Sequence, residues 1–81
     1  MPRITSIERE SETRFLFHFS EVTDEFRTNF DAWIRRRFQD IVMKVDWRRM
    51  CNTLVVVVKR SEAAFAFNSL SHEIRRRALF K

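Results

Sequence analysis

Two histidines and one cysteine are the side chains best suited to act on a substrate or to hold a metal, and they stand far apart at His18, Cys51 and His72. Metal ligands recur at spacings of roughly two to five residues, which bring them onto one turn or one helix face. No pair here has that spacing, and His72-Glu73 is not followed by the second histidine of a helical zinc motif. Cys51 lies beside Asn52 and near Arg48 and Arg49, a basic setting that favours thiol reactivity, although an incidental turn cysteine is the preferred reading. Among the carboxylates, Asp24 and Glu25 stand where a helix start needs them, and Glu8, Glu10 and Glu12 read as solvated charges. None forms a convincing acid and base pair.

The absence of glycine excludes more than any motif includes. Average usage near 7% would give about six glycines, and the chain has none. Phosphate-binding loops, dinucleotide fingerprints and nucleophile elbows all need glycine where the backbone turns sharply or approaches a ligand. A non-enzymatic protein is therefore expected, with no cofactor, no metal and no small-molecule substrate. Left-handed turn positions must fall to Asn or Asp. Such a composition also fits a designed or laboratory-selected sequence.

Charge points to a partner. The 81 residues hold 16 Lys and Arg against 11 Asp and Glu, a net charge of +5. Arginine dominates, and its fork suits phosphate and carboxylate better than the point charge of lysine. Two triplets stand out, Arg35-Arg36-Arg37 and Arg75-Arg76-Arg77. A lone cysteine permits no intrachain disulfide. The longest apolar run, Leu54 to Val58, is five residues against the roughly 20 that span a bilayer, and the N-terminal residues lack the apolar core of a secretory signal. A cytoplasmic protein without membrane contact is expected.

These side chains must be positioned by elements that the hydrophobic pattern outlines. Phe15, Phe17 and Phe19 recur with period two on one face, which predicts a strand over 13–20. Thr23-Asp24-Glu25 starts a helix running to about residue 38, with Phe26, Phe30, Trp33, Ile34 and Phe38 at helical spacing. Ile41, Met43, Val45 and Trp47 predict a second strand with one apolar face. Residues 53–59 are apolar on both faces, as expected of a central strand. Ser61-Glu62 caps a second helix to about residue 79, with Ala63, Ala66, Phe67, Leu70, Ile74 and Ala78 as its core stripe. Both helices end in arginines, which suits the negative end of the helix dipole.

A shift of 40 residues aligns the two halves without gaps, pairing Arg9 with Arg49, Thr13 with Thr53, and Ile34 to Arg37 with Ile74 to Arg77. It also sets residues 4–9 opposite the second strand. The prediction is one α+β domain over 1–81: a four-stranded antiparallel sheet with two helices on one face, ββαββα, an internal duplication of 1–40 and 41–81. The alternative is βαββα, a ferredoxin-like fold lacking its last strand.

With the phenylalanines facing the helices, the open sheet face would show Leu16, His18, Val42, Val55 and Val57 within a basic rim of Arg14, Lys44 and Arg48. An uncovered apolar face of this size calls for a partner, and a homodimer packed sheet to sheet is one. Phe65, His72 and Leu79 recur every seven residues outside the core stripe of the second helix and suggest a further partner contact. The functional expectation is a nucleic-acid-binding protein whose anion-binding residues are Arg14, Lys44, Arg48 and the two arginine triplets. The alternative is a small regulator or inhibitor that binds an acidic protein, such as phages and mobile elements encode.

Overall fold

The computed structural model describes residues 2–77 and the backbone of residues 79–80. Two hairpins and two helices alternate along the chain: β1 (Arg3–Arg9), β2 (Arg14–Ser20), α1 (Asp24–Arg37), β3 (Val42–Arg48), β4 (Thr53–Val58) and α2 (Ala63–Arg77), with a two-residue strand β5 (Leu79–Phe80). The sheet runs β3-β4-β2-β1-β5, antiparallel except for the short β1 and β5 pair. This is the expected ββαββα arrangement, with β4 central where its two apolar faces require it. No helix among the described residues is long and apolar enough to cross a membrane.

Local chemistry explains the element limits. Thr23 caps α1 through its hydroxyl, which accepts the Phe26 N–H at 3.1 Å, and Asp24 and Glu25 follow in the first turn. The chain enters α2 through a single 3-10 turn at Arg60–Glu62, so Ser61 lies inside that turn instead of at a helix cap. After Arg77 the chain returns to the sheet, which takes Leu79 out of the expected helical stripe and into β5. Ala78 lies outside the described residues.

The core lies between the sheet and the helices. Phe15, Phe17, Phe19, Leu54, Val56 and Val58 meet Phe30, Ile34, Ala66, Leu70 and Ile74 there, all buried. In β3 the register shifts between Val42 and Lys44. The bulge turns Val42 toward the core and leaves Met43 67% exposed, which reverses the expected facing of both.

The two ββα halves correspond in space, but not at a single shift of 40. Strands β2 and β4 begin 39 residues apart, at Arg14 and Thr53, and this odd offset keeps Phe15, Phe17 and Phe19 equivalent to Leu54, Val56 and Val58. An offset of 40 would turn each strand over, because side chains alternate with period two. The helices do obey 40, since buried Phe30 and Ile34 correspond to Leu70 and Ile74. The inward residues Ile7 and Val45 correspond at 38. Each connection in the second half is therefore one residue longer, and the pairings of Arg9 with Arg49 and Thr13 with Thr53 fall away.

Without glycine, the two left-handed positions among the described residues go to Glu21 at φ 56° and Asn52 at φ 50°. Asn52 meets the expectation, and Glu21 departs from it. A β-carbon is disfavoured there, so Glu21→Gly should raise the melting temperature by about 3–6 °C in calorimetry. Arg3 donates to the Glu21 carboxylate at 3.1 Å and holds its pKa below the usual value. That ion pair contributes above the carboxylate's ordinary titration range and is lost as pH falls through its lowered pKa. The gain from glycine should therefore be larger at acidic than at neutral pH.

Candidate nucleic-acid interface

The open face of the sheet differs from the expected apolar platform. The register places Arg48, Thr53, His18 and Ser6 in one row, Asp46, Val55, Leu16 and Glu8 in the next, and Lys44, Val57 and Arg14 in a third. Leu16 and Val55 are only 5% and 4% exposed within the single chain. Their row neighbours are longer polar side chains that shield them, and Val57 is half-buried. Val42 has left this face for the core side. The apolar area that called for a sheet-to-sheet dimer is thus largely absent. Nor is the rim uniformly basic, because Glu8, Glu10 and Asp46 stand among Arg14, Lys44 and Arg48, and Arg14 pairs with Glu10 at 2.8 Å.

One constellation on this face is invisible to spacing. His18 and Thr53 are register partners, with His18 Nδ1 and Thr53 Oγ1 2.9 Å apart. Glu8 approaches His18 Nε2 at 3.3 Å. Hydroxyl, imidazole and carboxylate in sequence resemble a nucleophile with its base and orienting acid. Burial decides against that role. Thr53 is 1% exposed, and its hydroxyl lies between His18 Nδ1 at 2.9 Å and the Cys51 carbonyl, to which it donates at 3.3 Å. The group satisfies polar atoms and offers no attacking atom to solvent. Cys51 is exposed in the β3–β4 turn.

The arginine triplets lie on the other side of the molecule. Arg37 donates to Glu73 at 3.2 Å, and Arg77 stacks on the Trp33 ring at 4.8 Å. Contacts of 37 with 73 and of 33 with 77 mean that the helices run antiparallel with their last turns side by side. A pseudo-two-fold axis passes between them at the level of Arg35 and Arg75. Both triplets therefore reach one region.

Consecutive helical residues point about 100° apart, so a triplet cannot present one surface. Arg37 and Arg77 turn into the groove between the helices, where Arg37 also covers the Phe38 ring. Arg35 turns to the flank, where Asp31 accepts from its Nε at 2.9 Å and the Val45 carbonyl from its Nη2 at 2.8 Å. Arg36 and Arg76 sit two residues beyond buried Ile34 and Ile74, about 200° around the helix, and point directly away from the sheet. Both are exposed, and neither has an ion pair or hydrogen bond among the described residues.

Two recesses flank the axis. One, of about 380 Å³, is bordered by Arg37, Asp40, Ser69, His72 and Glu73. The other, of about 440 Å³, is bordered by Phe26, Asn29, Phe30, Arg76 and Arg77. The first sets two carboxylates, Asp40 and Glu73, against Arg37; the described lining of the second is cationic. Phe65 is 53% exposed on α2, and His72 is exposed beside the first recess. Leu79, in β5, does not continue their stripe. No group of three or more His, Cys, Asp or Glu among the described residues is placed to hold a metal ion. No family model, curated protein or solved structure matches the chain.

Proposed function

We propose that the protein is a non-enzymatic nucleic-acid-binding protein that meets phosphate with the outer surface of its helical layer. One observation carries this reading: the axis-related Arg36 and Arg76 project from adjacent helix ends without a protein partner. Helix ends supply only about half a negative charge each, and Asp31 and Glu73 are committed to Arg35 and Arg37. Cationic charge is left over at the centre of the layer. Trp33, the nearest tryptophan, lies under Arg77 and is not presented for base stacking. Contacts limited to phosphate position a protein without reading sequence.

The affinity for a duplex of about 16 base pairs should therefore fall tenfold or more between roughly 50 and 200 mM salt. It should differ little between duplexes of unrelated sequence. Fluorescence anisotropy across a salt series tests both, and an affinity indifferent to salt would overturn the reading. Exposed Phe65 favours a second reading, contact with an acidic protein. Phe65→Ala should leave nucleic-acid affinity unchanged if the first reading holds.

A further inference from the structure

Strand β3 is an edge of the sheet, seven residues long, paired with β4 on one side and with no strand among the described residues on the other. Its backbone directions follow from the ladder. The Val58 N–H bonds the Thr13 carbonyl, so Val58 and Val56 direct their backbone groups to β2, while Val57 and Val55 direct theirs to β3. Their partners Lys44 and Asp46 consequently face β4, and Val45 and Trp47 present theirs outward. The outward Val45 carbonyl is the one that Arg35 Nη2 occupies at 2.8 Å. Asp31, one helical turn before it, holds the guanidinium in place at 2.9 Å. A charged donor thus covers the middle of the exposed edge.

The sequence of that edge is self-complementary. Paired antiparallel with a second copy about Val45, the strand would set Lys44 opposite the second copy's Asp46, twice over. Both residues share the open face, and neither has an ion pair among the described residues. They would fall in the non-hydrogen-bonded positions, where opposing side chains approach most closely.

We infer that β3 is a strand-pairing surface for a second copy of this chain, held closed by the Arg35 side chain on the Val45 carbonyl. Unguarded edges of this kind pair readily. The guanidinium and the incoming strand compete for the same backbone position, so removing Arg35 opens the edge. The two sheets would then join into one, across β3 and away from the arginine-bearing outer surface of the helices.

Light scattering coupled to size exclusion, over a concentration series, tests this. Arg35→Ala should dimerise at least tenfold more tightly than the unaltered chain, with circular dichroism confirming the fold. Lys44→Asp in that background should reverse the effect by setting Asp against Asp, and Lys44→Asp with Asp46→Lys should restore it. If Arg35→Ala does not fold, Asp31→Ala, which removes only the tether, should show the same change to a smaller degree. An unchanged mass at every concentration, or a dimer indifferent to the charge exchange, would overturn the inference.

Discussion

Phe30→Ala should lower the melting temperature by roughly 15–30 °C, as read by circular dichroism. Phe30 is 1% exposed and stands among four rings, with centroids at 5.5 Å to Phe19, 5.1 Å to Phe26, 5.2 Å to Trp33 and 6.4 Å to Trp47. Truncating a buried phenylalanine costs about 3–5 kcal/mol, because a cavity replaces close contacts on every side. Total stability for a domain of this length is about 5–15 kcal/mol. The loss is a large share of it. Leu70 occupies the equivalent position on α2, fully buried but outside the ring cluster. Leu70→Ala should therefore be the milder change, at about 2–5 kcal/mol. A Leu70 variant that melts lower than the Phe30 variant would show that the aliphatic half, and not the aromatic one, carries the fold.

That asymmetry bears on what a reader of the chain can see. Phe15, Phe17 and Phe19 declare their strand by alternation, and Phe26, Phe30 and Ile34 declare their helix by spacing, since burial imposes the period directly. A bulge has no such signature. Met43 follows the inward pattern of Val45 and Trp47, yet one extra residue in β3 sends it outward and brings Val42 in. The repeat shows the same limit. Arg35 to Arg37 and Arg75 to Arg77 align at 40 because helices carry the identities, while β2 and β4 keep their faces at 39 and β1 and β3 at 38. Identity alone cannot reveal a one-residue change in a turn; side-chain parity can.

The site was legible in residue type and not in direction. The open face depends on which side chains flank Leu16 and Val55, and those neighbours come from two other strands, β1 and β3. His18 and Thr53 are 35 residues apart and meet only through the β2 and β4 register. The triplets were visible as charge. What spacing could have added is that adjacent residues on a helix diverge by about 100°, so that each triplet divides into a flank, an outer surface and a groove. Under that division Arg35 belongs to the sheet edge, and the proposed anion-binding role narrows to Arg36 and Arg76, with Arg77 beside them.

The charge-reversed pair Arg36→Glu and Arg76→Glu should weaken binding to a short duplex at least a hundredfold near 0.1 M salt. Each phosphate contact contributes about 0.9 to the salt slope, worth about eightfold at 0.1 M relative to 1 M. Removing two contacts costs about sixtyfold, and installing two negative charges adds repulsion. The fold should survive. Both side chains point into solvent, and the penalty of an acid at a helix C-terminus is about 0.3–1 kcal/mol each. Arg35→Ala supplies the contrast, because its guanidinium already serves Val45 and Asp31. It should cost less than threefold in nucleic-acid affinity. Anisotropy at matched salt, with thermal melts of each variant, decides the matter. If Arg35→Ala weakened binding as much as the reversed pair, the flank and not the outer surface would be the place where phosphate docks.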